Sequence, residues 1–326
     1  MLKYLHLYLP PGKFVTNGLK ALLAVGFTAV LAWQLTHRLN GLPLPGALAD
    51  AVTGVNVWWL TLAVLLTVAN WGIEAFKWQR MAAALQPVGY VDALRATLYA
   101  LSVGFITPNR VGEWVGKVSV FENGKRTDGV ALSLMASCAQ LMVTLVVGCA
   151  ALICLSSFSF SLPGNLIFHR AAFIAGIGGA LLLIVYLFWW RGNVPWLHVL
   201  SRISFLKRAS AAPPVHTKLL LETVALSAMR YVLFSVQFLL LLAAFGCALP
   251  LVESALLVSV VFFYLTWLPV PTAAEPGLRG NVALFFLTPL IPHPVGIVCA
   301  ATLLWIVNLM LPALAGAVWF LTDKRV

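Results

Sequence analysis

The sequence predicts an all-α integral membrane protein with six full spans and two re-entrant helical hairpins. Three observations carry that prediction. Of 326 residues, 61% are apolar and only 10% charged, whereas a soluble domain carries roughly 25% charged residues and about 45–50% apolar ones. Mean hydropathy is +0.96. The apolar runs also come in two lengths, one sufficient for a bilayer and one too short for it.

The elements follow in order. The first span is expected at about Asn17–Thr36, with Lys13 and Lys20 ahead of its core. Ala47-Leu48-Ala49 looks like a cleavage site but lies well beyond the end of that run, so the run reads as an uncleaved span. The second span covers about Val55–Arg80. Two short pieces follow, about Asp92–Phe105 and Val111–Phe121, split by Thr107-Pro108-Asn109-Arg110. Spans three and four are about Asp128–Ser157 and Leu166–Trp190. A basic, Pro-containing linker at about 191–217 leads to span five, about Lys218–Gly246. Two more short pieces, about Leu251–Leu268 and Gly280–Leu290, are split by Pro269-Val270-Pro271-Thr272. The last span is about Val295–Leu321.

Charge sorts these elements across the bilayer. Sixteen of the 21 Lys and Arg residues, Lys77 and Lys117 among them, fall on one set of connections. Arg38 and Arg170 fall on the other, and Arg110, Arg230 and Arg279 lie inside apolar segments. Cytoplasmic connections carry the Lys/Arg excess, so the expectation is an inner-membrane protein with both termini in the cytoplasm. The net charge of +11 is then a topological signal rather than a nucleic-acid-binding face. The first short pair has basic residues at both outer ends and returns to the cytoplasm; the second lies between charge-poor connections and returns outside. A helix of about 14 residues rises only about 21 Å against a roughly 30 Å core, so each pair forms a re-entrant hairpin. Non-helical backbone at that depth survives only inside protein or facing a wet cavity. Halves of about 1–157 and 166–321 are therefore inverted repeats within one transmembrane domain, the plan of many secondary transporters.

Ionisable residues inside a membrane are expensive and therefore candidates for function. The tips supply Arg110 with Glu113 and Glu275 with Arg279, next to the turn residues Pro108, Gly112, Pro271 and Gly277. If the hairpins meet, Arg110 is expected to pair with Glu275 and Glu113 with Arg279. Arg suits phosphate because its planar fork binds bidentately and stays charged. The N-terminal ends of the returning half-helices would add N–H donors. Arg230 lies 12 residues beyond Lys218, about 18 Å along a helix, and its partner must come from another helix or from substrate. Glu74, Gln140, Gln237 and Asn308 are candidates to line a path; Asn and Gln of this kind also glue helices together. Ser137 and Thr144 share a stripe with Gln140, and Asn70 shares a face with Glu74. Glu113 and Lys117 have the spacing of a structural i, i+4 pair.

Enzyme signatures such as HExxH, GxSxG, a P-loop or an Asp-rich prenyl-diphosphate motif are lacking. The five cysteines fall in apolar runs and read as packing residues, with no metal spacing and no cofactor expected. The expected partner is a phospholipid or other anionic lipid, with no nucleic acid; homo-oligomerisation stays open.

The stretch Thr107-Pro108-Asn109-Arg110-Val111-Gly112-Glu113 resembles the signature of the lysylphosphatidylglycerol synthase transmembrane region, also called the flippase-like family. Pro271 to Arg279, with Glu275, Gly277 and Leu278, is similar to its second signature; Gly280 stands where the family commonly has Glu. The resemblance covers essentially the whole chain and implies movement of lipids between leaflets. The family's soluble aminoacyl-transferase domain is not expected with this chain, so flippase or scramblase activity is expected rather than lipid synthesis. A transporter or channel for a small soluble anion, and a membrane enzyme on a lipid-linked substrate with Glu113 as base, are the alternatives.

Overall fold

The computed structural model describes residues 44–107, 110, 112–157, 163–164, 166–189, 215–247, 250–268, 270 and 272–322. The expected first span, most of the basic linker, both termini, Pro108 and Pro271 lie outside the described residues.

The described residues are helical wherever they form regular structure. Among the described residues, four helices are long and apolar enough to cross a membrane, so the chain has the make-up of a membrane protein. They are α2 (Val57–Ala82), α5 (Arg126–Ser157), α7 (Thr217–Ala244) and the continuous segment Pro294–Thr322. That segment comprises α10 (Pro294–Trp305), a π-helical stretch at Ile306–Met310, and α11 (Leu311–Thr322). The others are α1 (Leu44–Thr53), α3 (Tyr90–Ile106), α4 (Gly112–Lys117), α6 (Leu166–Trp189), α8 (Leu251–Thr266) and α9 (Glu275–Leu287).

Helix starts follow local chemistry. The Asn56 side chain caps α2 by accepting from the Trp58 amide at 3.1 Å, and His293 caps α10 by accepting from the Gly296 amide at 3.0 Å. α9 begins at Glu275, five residues before the expected Gly280, because Pro276 fits a first helical turn, where its missing N–H costs nothing. The last three tip residues of the second motif, Gly277 to Arg279, are thus helical. In the first hairpin the returning limb is shorter than expected. α4 ends at Lys117 and passes into a 3-10 turn at Val118–Val120.

The two limbs of the first hairpin pack very closely. A Cβ on Gly116 would fall on the Ala100 backbone, so only glycine permits this approach. Two further contacts mirror one another. α5 crosses α8 where Gly148 meets the Phe263 ring, and α11 crosses α3 where Gly316 meets the Leu98 carbonyl. α3, ahead of the first tip, thus packs on α11, and α8, ahead of the second, packs on α5, while α2 and α7 pack on each other. The main core runs through Phe238, Leu241, Leu257, Phe263, Leu284 and Ile297. A second core gathers Trp78, Met81, Leu132 and Met135. Between them lies a polar interior.

A cationic cavity built by both hairpins

The interior holds a cavity of about 460 Å³ whose walls come from α2, α3, α4, α5, α7, α8, α9 and α10 together with the π-helical stretch. Five cations line it: Lys77, Arg110, Lys117, Arg230 and Arg279. Among the described residues, two carboxylates do so, Glu74 and Glu113. The arginines of both hairpin tips therefore face the same space as Arg230.

The first tip is held by Thr107. Its hydroxyl donates to the Gly104 carbonyl at 3.2 Å and accepts from the Gly112 amide at 2.9 Å. Of the N–H donors expected at the starts of the returning limbs, that of Gly112 is thus already used by Thr107. Arg110 sits in the left-handed region, φ 56°, an uncommon conformation for a non-glycine residue. From there its guanidinium reaches Glu113 Oε1 at 2.5 Å. In the second tip, Arg279 Nη2 lies 3.4 Å from Glu275 Oε2. The expected cross-hairpin pairs are corrected accordingly: each arginine pairs within its own tip. The spacings are i, i+3 and i, i+4, so pairing is local and orders less chain than a contact between hairpins. Gly277 is buried in the first turn of α9, and Gly112 opens α4.

The centre of the site is Glu74. Its Oε1 binds Lys117 Nζ at 2.5 Å, and its Oε2 binds Lys77 Nζ at 2.8 Å and Arg230 Nη1 at 2.5 Å. Lys77 is 2% exposed, Glu74 5% and Lys117 7%. One carboxylate thus gathers three cations from three elements, α2, α4 and α7. Arg230 Nε also donates to Asn70 Oδ1 at 3.0 Å, and its guanidinium lies 5.3 Å from the Trp71 ring. Asn70 Nδ2 donates to Asn308 Oδ1 at 3.0 Å, which ties the chain of contacts to the π-helical stretch. Lys117 Nζ sits 5.6 Å from the Trp78 ring.

Among the path candidates, Glu74, Gln140 and Asn308 line the cavity. Gln237 does not. It is buried between α2 and α7, donating to the Ala63 carbonyl at 2.9 Å and to Thr67 Oγ1 at 2.8 Å. Its role is corrected to helix–helix adhesion. Gln140 bridges α5 to α7 by donating to the Ser227 carbonyl at 3.2 Å, with Ser137 and Thr144 beside it on the cavity wall.

Lys77 and Lys117 were missed because a tally of basic residues by connection treats a lysine at the buried end of a helix like one in a loop. The i, i+4 spacing drew Lys117 to Glu113, whereas it turns to Glu74 instead. One signal was present for Lys77: Asn70, Glu74 and Lys77 follow an i, i+4, i+7 pattern on one face of an apolar helix. Withdrawing both lysines leaves the charge imbalance in the same direction.

Four wall residues carry buried N–H donors without a hydrogen-bond partner among the described residues: Trp71 Nε1, Trp305 Nε1, Arg110 Nε and Arg279 Nε. Gln140 Oε1 is an unpartnered acceptor beside them. Leu101, Leu141, Phe234, Phe262, Leu265 and Leu304 give the same wall an apolar share. Arginine forks, lysines and indole donors thus lie next to hydrocarbon on one wall. The chain matches no family model and no curated protein.

Proposed function

We propose that this protein is a lipid translocator, a flippase or scramblase, that carries an anionic headgroup between leaflets of the cytoplasmic membrane. On this reading the chain has six spans and two re-entrant hairpins in inverted halves, with both termini cytoplasmic. It belongs with the flippase-like transmembrane regions that its tip motifs resemble.

The observation that carries the proposal is the excess of cations on one cavity contributed to by both hairpins: with the carboxylates they pair with, Glu74, Glu113 and Glu275, the balance is five against three. Buried charge is costly unless compensated, so such a surplus is retained where an anion is handled. The reciprocal packing of α3 on α11 and of α8 on α5 supports the inverted plan. The leucine and phenylalanine share of the wall favours a headgroup whose acyl chains stay in lipid over a fully hydrated ion.

The test is reconstitution into vesicles containing fluorescent phosphatidylglycerol, phosphatidic acid or phosphatidylcholine, with dithionite reporting leaflet exchange. Anionic lipids are expected to exchange faster than in protein-free vesicles and faster than phosphatidylcholine. The paired substitution Arg110→Ala with Arg279→Ala is expected to slow exchange about tenfold or more, the loss of charged hydrogen bonds. Exchange at the unsubstituted rate in that variant removes the headgroup role. Release of trapped phosphate without any lipid exchange points to the soluble-anion transporter instead.

A further inference from the structure

The charge balance of the site is uneven in a way that selects among anions. Arg110 with Glu113, and Arg279 with Glu275, are each internally compensated. The cluster on Glu74 is not. Lys77, Lys117 and Arg230 share one carboxylate, which leaves two positive charges over. These groups come from α2, α4 and α7. The acids lining the cavity are Glu74 and Glu113, and Glu113 is held by Arg110.

Resting on the lipid-headgroup reading above, we propose that the site is built for a doubly charged phosphate monoester rather than a singly charged phosphodiester. A dianion returns the cluster to neutrality, and a monoanion leaves one buried charge uncompensated. Hydrogen-bond counting agrees. A monoester presents three strong acceptor oxygens. The wall holds four buried donors without a hydrogen-bond partner among the described residues, on Trp71, Trp305, Arg110 and Arg279, against the one amide acceptor of Gln140. Glu74 organises the cations: it holds three side chains from separate elements within reach of one point, so a ligand finds them already gathered. Charge, not shape, separates the two classes, since methylating one phosphate oxygen changes size little and removes one negative charge.

Calorimetric titration of the full chain in nanodiscs tests this with three probes. These are a decyl phosphate monoester, the same molecule methylated to the diester, and inorganic phosphate. The titrations run at roughly pH 7, above the second phosphate ionisation near 6. The monoester is expected to bind about tenfold more tightly than the diester, equivalent to roughly 1.4 kcal/mol. Lys117→Gln or Arg230→Gln, each removing one surplus charge, is expected to bring the two affinities together. Lys117→Arg, which keeps the charge, preserves the preference and separates charge from folding. Equal binding of monoester and diester overturns this inference while leaving the headgroup reading intact. Inorganic phosphate binding as tightly as the decyl monoester upholds the dianion preference and overturns the lipid source. Binding of none of the three overturns both.

Discussion

Lys117 Nζ lies 2.5 Å from Glu74 Oε1, joining the short limb of the first hairpin to α2 across the interior of the protein. Glu74 holds Lys77 and Arg230 as well, so its removal strands three cations, whereas loss of Lys117 still leaves two for one carboxylate. Breaking a buried pair so that charge is left unpaired costs about 3–5 kcal/mol. Glu74→Gln is therefore expected to lower stability by about 3 kcal/mol or more, and Lys117→Met by clearly less. Unfolding curves in mild detergent measure both, and the reverse order would refute the account of Glu74 as the organising group.

The first hairpin depends on the absence of a side chain at Gly116, whose added Cβ would run into the Ala100 backbone. Backbone cannot swing aside as a flexible side chain can. Gly116→Val is expected to cost about 1–3 kcal/mol, typical of forced overpacking, and to slow lipid exchange because Lys117 is the next residue. Gly124→Ala is the control. An added Cβ there meets nothing within 4 Å, so stability should stay within about 0.5 kcal/mol. Thermal melts of the two variants provide the comparison, and equal melting temperatures would contradict the close packing.

Much of this architecture is legible in the sequence because bilayer thickness constrains it. The expected bounds of α2, α5, α7 and Pro294–Thr322 fall within two residues of the observed ones, since long apolar runs have one stable solution in lipid. Arg110, Glu113, Arg230 and Arg279, which line the cavity, stand out in the sequence for the same reason: charge in an apolar run is conspicuous. What could not be read was pairing. Sequence spacing points Lys117 at Glu113, yet the rotation of a six-residue helix turns it toward α2. Likewise, Gln237 and Gln140 look alike in the chain, and only the tertiary packing sends one into a helix interface and the other to the cavity wall.

Asn70 serves two partners, accepting from Arg230 and donating to Asn308. Asn308 lies in the π-helical stretch and also donates to the Leu304 carbonyl at 3.2 Å. Asn70→Leu leaves Arg230 Nε and Asn308 Oδ1 without these partners, a penalty of about 1–3 kcal/mol for each buried group stranded. Asn308→Leu takes a partner from Asn70 Nδ2 and from the Leu304 carbonyl, both neutral groups, whereas Asn70→Leu strands part of a charged guanidinium. Asn70→Leu is expected to be the more damaging of the two, both to melting temperature and to anionic lipid exchange. Equal effects would mean that Asn70 does not position Arg230.

The two glutamines give the sharpest separation of adhesion from function. Gln237 donates to Ala63 and Thr67 at the α2–α7 interface and is fully buried. Interhelical hydrogen bonds in membranes average about 0.6 kcal/mol, so Gln237→Leu is expected to cost little stability and to leave lipid exchange unchanged. Gln140 faces the cavity, and its Oε1 has no hydrogen-bond partner among the described residues. Gln140→Leu puts hydrocarbon where the wall is polar and removes the donor that reaches Ser227. Anionic lipid exchange should slow in that variant while its melting temperature stays near that of Gln237→Leu. A slowed Gln237→Leu beside an unaffected Gln140→Leu would move the path away from α5 and toward the α2–α7 interface.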